Sequence, residues 1–119
     1  MSSKPASPKP SGYFDPDHVD HFKDIGKNRP ELAEKFFAYY GEVMGDGALT
    51  AREKSLMALA VAHAVQCPYC IEAYSKKSLA CGADLDQMTE AVHVAAAVRG
   101  GANLVHGMQM RDHHDQISM

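Results

Sequence analysis

Pro68 limits how this chain can fold more than any other residue. It interrupts residues 61 to 77, VAHAVQCPYCIEAYSKK, a run otherwise patterned for a helix. Proline lacks the N–H that a helix interior needs, clashes with the carbonyl four residues back, and pushes the preceding residue, Cys67, out of the α region. The helix must break or kink there and restart with Pro68 in its first turn, where proline is tolerated best. The break sets Cys67 and Cys70 at the beginning of the new helix.

Elsewhere no segment alternates with period two for long enough to make a convincing strand, while several repeat at helical spacing, so the fold class is read as all-α. Residues 16 to 26, PDHVDHFKDIG, suggest a short helix with Pro16 in its first turn and Gly26 as its stop. Pro30 opens a helix over residues 30 to 44, with Leu32, Phe36, Tyr39, Tyr40 and Val43 along one face, and GDGAL closes it. Thr50 and Glu53 form a capping box for a helix from Ala51 to about Gln66. The helix restarted at Pro68 should reach about Cys81, with Gly82 as its C-terminal glycine. Asp84 and Gln87 form a second capping box, for a helix predicted to end at Gly100-Gly101, and a last helix is predicted from Ala102. AVHVAAAV, residues 91 to 98, is apolar almost all round; such a helix wants burial on every side, which points to a homo-oligomer or to the centre of a monomeric bundle.

With 119 residues the chain has room for one domain, read as a flexible tail over residues 1 to 14 and a single helical domain over 15 to 119. A formal net charge of -3 and the lack of a basic patch give no reason to expect nucleic acid. No apolar run reaches the roughly 20 residues that span a bilayer, so no membrane partner is expected, and no signal-peptide pattern precedes the domain. Three unevenly spaced cysteines do not make a secreted disulfide framework. The expected compartment is the cytoplasm, where cysteines stay reduced and a C-x-x-C pair is more often catalytic or metal-binding than a structural bridge.

At a helix start, a cysteine cap can accept a first-turn N–H, and both sulfurs lie near the positive end of the helix dipole; both effects favour thiolate. His63, Cys67, Cys70 and Tyr74 fall at i, i+4, i+7 and i+11, one stripe if the proline bends the helix without rotating it. That stripe would join a proton relay, His63, to two thiols and a phenol able to donate to a peroxide oxygen or a thiolate. The less specific readings are inert core cysteines, a histidine satisfied between helices, and an interface tyrosine. Structural zinc needs four ligands, and His63, Cys67 and Cys70 supply three. Cys81, about 16 Å along the helix from Cys70, is a bystander. C-P-Y-C is also the glutaredoxin tetrapeptide, but no βαβ pattern surrounds it here. His93 reads as a core or interface histidine, Arg99 as a partner for a helix C-terminus, a subunit or an anion, and His106, His113 and His114 as part of a solvated end.

Residues 49 to 107, LTAREKSLMALAVAHAVQCPYCIEAYSKKSLACGADLDQMTEAVHVAAAVRGGANLVHG, closely resemble the alkylhydroperoxidase AhpD-like, carboxymuconolactone decarboxylase family. The likeness rests on the LTAREK…ALAVA lead-in, the C-x-x-C at the next helix start, and the alanine-rich helix ending in RGG. It implies an all-helical bundle assembled as trimers or hexamers, and thiol-dependent peroxidase or disulfide reductase chemistry on a small peroxide or disulfide. The implied partner is an external dithiol reductant, and no haem, flavin or other cofactor is implied. Two positions depart from the family's redox branch: Ser55 stands where that branch has a relay glutamate and Tyr74 where it has a histidine, which leaves His63 as the substitute relay. AHAVQCPYC, with the following AY and the preceding ELAEKFFAYYG, also resembles an arsenosugar-biosynthesis-associated, peroxidase-like branch. A metal or metalloid binder using the same dithiol, and a decarboxylase or lactone-processing enzyme that does not need it, are the rival functions.

Overall fold

The computed structural model describes residue 15 and residues 17–119; the tail reading for residues 1 to 14 and the placement of Pro16 lie outside the described residues. Among the described residues the structure is all-helical and contains no strand. It is elongated, 69 × 37 × 36 Å. A four-residue helix, α1 (Asp17–Asp20), leads into a 3-10 helix (Phe22–Gly26), followed by α2 (Pro30–Met44), α3 (Ala51–Ala64), α4 (Pro68–Ala80) and α5 (Leu85–Ile117). The single short helix expected over residues 16 to 26 is thus an α turn and a 3-10 turn in succession. Gly26 ends the latter where it crosses α2 closely, since a Cβ at that position would lie 2.8 Å from the Cβ of Ala33.

Both capping boxes form. Thr50 Oγ1 accepts the Glu53 N–H at 3.1 Å while Glu53 accepts the Thr50 N–H at 3.0 Å, and Asp84 and Gln87 exchange the equivalent bonds at 2.8 and 3.0 Å. The turn between α2 and α3 is tied at both ends. Lys54 Nζ donates to the carbonyl of Gly45, the residue that caps α2, and Asp46 accepts the N–H of Ala51. At the end of α4 the chain turns through Gly82, whose φ of 89° is a left-handed conformation that suits glycine.

The core lies where α3 packs between α4 and α5. Leu59 and Ala62 on α3, Ser78 on α4, Ala83 in the loop and Ala95 on α5 are buried there, with Ser55 fully enclosed. These residues are mostly small, which brings the helix backbones close together. Ser78 Oγ donates to the Ser55 carbonyl at 3.3 Å across the α3–α4 contact, and Ser55 Oγ donates back to Arg52 in its own helix, so both buried hydroxyls are satisfied.

Two expectations about the last third of the chain are corrected. The helix does not stop at Gly100-Gly101 but runs unbroken for 33 residues, about 50 Å, from Leu85 to Ile117. A glycine inside a helix costs only about 1 kcal/mol relative to alanine, and both flanks here are good helix sequence. Nor is the 91–98 segment the centre of a monomeric bundle: Ala95 is buried, but Val94 and Val98 are 58% and 67% exposed within one chain. The apolar face assigned to α2 is likewise mostly exposed; Ala33, Phe37 and Met44 are its more sheltered positions. No helix among the described residues is long and apolar enough to cross a membrane.

Candidate functional site

The break at Pro68 is complete. After α3 ends at Ala64, Gln66 takes a left-handed φ of 57°, the only such non-glycine among the described residues, and Cys67 is extended at φ -104° and ψ 103°. Pro68 then opens α4 and Cys67 caps it, with its Sγ accepting the N–H of Cys70 at 3.3 Å. Capping satisfies one of the orphan donors of the first turn and sets the Cys67 sulfur at the positive end of α4. Cys67, Cys70 and Cys81 are all unbridged, and Cys81 sits at the far end of the helix as its C-cap.

The two sulfurs open onto a cavity of about 540 Å³, bounded on the α4 side by Tyr69, Ala73 and Tyr74. The opposite wall is aromatic: Phe22 meets Phe37 edge-on, with ring centroids 5.3 Å apart, and Phe36 and Tyr40 continue it. Tyr40 and Tyr74 share a hydrogen bond through their hydroxyls, which ties α2 to α4 across the cavity. Among the described residues no carboxylate lines this space. Burial, followed by the hydrogen bond to Cys67 and the charge of that neighbour, pushes the Cys70 thiol up to about 11. This corrects the expectation that both sulfurs favour the thiolate: an apolar wall disfavours the anion at Cys70 more than the helix start helps it. Burial and the bond to Tyr40 push the Tyr74 hydroxyl upward as well, so it remains a neutral phenol.

His63 does not join them, and the common stripe is corrected here. Its Nδ1 bonds to the Leu59 carbonyl at 2.8 Å, one turn back in its own helix, and its ring lines a second hollow with Gln66, Val92, Ala95 and Arg99. The left-handed turn at Gln66 rotates α4 relative to α3, so i+4 spacing across the break no longer means a shared face. Arg99 reaches back from α5 to donate to the Ala64 carbonyl at the end of α3, the helix C-terminus role. Ser55 is packed in the α3–α4 core rather than at the cavity. Among the described residues no three histidine, cysteine or carboxylate side chains converge as a metal site would require.

Of the cavity residues not singled out from sequence, Tyr69 and His18 carry hydrogen-bonding groups that meet each other. Tyr69, inside the C-P-Y-C tetrapeptide, accepts the N–H of Asp15 at 3.1 Å and shares a 2.8 Å hydrogen bond with Nδ1 of His18. Tyr69 carried a local signal, a polar aromatic in the first turn of a helix whose start was already marked. His18 carried none, because only tertiary packing of α1 on α4 brings it there.

A dithiol at a helix start, facing an aromatic cavity within an all-helical fold, defines the class of protein. The chain matches the carboxymuconolactone decarboxylase family over residues 30–110, and it belongs to that family, which includes AhpD-like peroxidases and decarboxylases. The match begins nineteen residues before the segment that carried the resemblance and so takes in α2 with its wall of the cavity. The chain is 47% identical over 75 residues to uncharacterized protein 4 in the cox locus of Paracoccus denitrificans, a match covering 63% of this chain and 68% of the relative. Two solved structures share the fold at 31% identity. A protein from Methanobacterium thermoautotrophicum superposes with a TM-score of 0.69 over 72% of this chain and 97% of its own. A carboxymuconolactone decarboxylase family protein from Legionella pneumophila, solved in its apo form, gives 0.65 over 76% of this chain and 80% of its own.

Proposed function

We propose that the chain is a thiol-dependent peroxidase or disulfide oxidoreductase that works through Cys67 and Cys70. The observation that carries this reading is the pair of unbridged thiols at the start of α4, joined through the Cys70 N–H and open to an aromatic cavity. Cys67 attacks, because its sulfur holds the capping position where an N–H and the helix dipole favour negative charge. Its electron pair forms an S–O bond as the O–O bond of a small peroxide breaks. The product is a sulfenic acid at Cys67, and the departing oxygen takes up a proton to leave as an alcohol or water. Cys70, held protonated until then, gives up its proton as its sulfur displaces hydroxide from the sulfenic acid, yielding water and the Cys67–Cys70 disulfide. An external dithiol reduces that disulfide and is itself oxidised. Tyr74 bounds the cavity as a neutral hydrogen-bonding phenol, whereas His63, facing the other hollow, takes no part.

A cytoplasmic setting, which keeps thiols reduced, suits this cycle. A homo-oligomer, trimer or hexamer, is supported by the apolar side chains that α5 leaves exposed on one chain, Val94, Val98, Leu104 and Val105 among them. The likeness to the arsenosugar-associated branch adds a second substrate candidate, a thiophilic arsenical. Two adjacent unbridged thiols, in a cavity that no carboxylate among the described residues lines, favour it, since soft thiolates select soft centres.

The test is steady-state peroxide reduction with dithiothreitol as reductant. Cys67→Ser and Cys70→Ser should each abolish turnover, and Cys81→Ser should retain it. Turnover that survives loss of both Cys67 and Cys70 would instead support the decarboxylase-type chemistry that needs no dithiol. Stoichiometric arsenite binding without peroxide turnover, lost in the double variant, would support the binder.

A further inference from the structure

Asp15, His18 and Tyr69 form a row of polar groups, the last two hydrogen-bonded to each other, that ends at the cavity holding the two thiols. The Asp15 carboxylate lies 3.9 Å from His18 Nε2, within ion-pair range, and its side chain is only 16% exposed. His18 Nδ1 lies 2.8 Å from Tyr69 Oη, with the two rings 5.7 Å apart and tilted by 44°. His18 and Tyr69 both line the cavity along with Cys67 and Cys70. Tyr69 is fixed from two sides: its backbone belongs to the first turn of α4, between the cysteines, and its hydroxyl accepts the Asp15 N–H.

Donor and acceptor counting assigns two states to this row. With neutral His18, the Nε2 proton faces Asp15, and Nδ1 accepts the Tyr69 proton. With charged His18, held by the Asp15 carboxylate, Nδ1 donates to Tyr69 Oη and the Tyr69 proton turns to the cavity. The second state is an acid with its proton already backed by a donor, the carboxylate–histidine–hydroxyl logic run toward protonation rather than deprotonation.

We propose that Tyr69 is the general acid that protonates the leaving oxygen when a cavity thiolate attacks a hydroperoxide, with His18 resupplying the proton and Asp15 positioning His18. This rests on the peroxidase reading given above. As the S–O bond forms and the O–O bond breaks, the leaving alkoxide takes the Tyr69 proton, Tyr69 takes the Nδ1 proton of His18, and His18 regains its proton from solvent. Sulfur loses two electrons and the peroxide gains them. Tyr69 touches the reacting oxygen and is catalytic; His18 and Asp15 act through it.

The experiment compares two peroxides in single-turnover oxidation of the reduced protein. tert-Butyl hydroperoxide leaves as a basic alkoxide that needs a proton, whereas peracetic acid leaves as acetate, which does not. Tyr69→Phe should slow the alkyl hydroperoxide by about a hundredfold, the scale of general-acid assistance, and the peracid far less. His18→Ala should show the same bias, and because His18 is 65% exposed, added imidazole should restore its rate but not that of Tyr69→Phe. If the wild type reacts but both variants slow the two peroxides equally, or imidazole restores nothing, the relay is overturned and the peroxidase reading stands. If the wild type reacts with neither peroxide, the peroxidase reading fails and takes the relay with it.

Discussion

Assigning Cys70 as the resolving thiol requires it to stay protonated far above neutral pH, and the structure sets the size of that effect. Its pKa stands at about 11 against an ordinary 9.0. At pH 7 an ordinary thiol is ionised in about one molecule in a hundred, and Cys70 in about one in ten thousand. Thiolate nucleophilicity rises with basicity with a slope of roughly 0.4–0.5, which recovers about tenfold of that hundredfold deficit. Cys70 should therefore alkylate about tenfold more slowly than the same cysteine in the denatured chain, before any steric hindrance, and its rate should climb with pH to a midpoint near 11. Burial is the largest cause, followed by the hydrogen bond and charge of Cys67. Cys67→Ala should thus bring the midpoint down but leave it above 9.0. The assay is iodoacetamide labelling across pH 7 to 12, quenched and read residue by residue by peptide mass spectrometry. A folded-state midpoint at or below 9.0, or no response to Cys67→Ala, would refute both the burial argument and the division of labour between the sulfurs.

Three further outcomes follow from the same structure. Because the folded-state pKa of Cys70 lies above its unfolded value, the stability it contributes is complete below about pH 9 and is lost as pH rises toward 11; thermal melts should show a smaller alkaline loss for Cys70→Ser, and identical slopes would contradict this. Leu59→Ala, which empties a site only 2% exposed at the α3 centre, should cost about 2–5 kcal/mol in denaturant unfolding. Gly82→Ala should destabilise by about 1–2 kcal/mol through its left-handed φ although its surroundings are open, whereas Gly100→Ala, inside α5 with no neighbour to meet, should stabilise by about 1 kcal/mol.

Local chemistry made much of the fold legible in advance. Thr50/Glu53 and Asp84/Gln87 each carry a complete capping box within four residues, so the starts of α3 and α5 needed nothing distant. Pro30 and Pro68 announced two more helix starts by the same kind of local rule. The end of α5 is not legible from Gly100-Gly101, which is a weak stop: neither glycine adopts the left-handed turn that Gly82 does. The site was legible to the extent that it lies on one helix, as with Cys67, Cys70 and Tyr74. Its other half was not. Whether His63 shares the thiols' face depends on the dihedral of one residue, Gln66, and the approach of His18 depends on packing between segments 51 residues apart.

The central claim is that Cys67 and Cys70 together reduce a peroxide. Its most direct test is to treat the fully reduced protein, with no other reductant present, with a limiting hydroperoxide, counting peroxide consumed and thiols lost and mapping the product by peptide mass. The account predicts about one peroxide consumed for two thiols lost, with the new disulfide joining Cys67 to Cys70 and Cys81 still free. Consumption without a Cys67–Cys70 disulfide, or no consumption with every thiol intact, would contradict it.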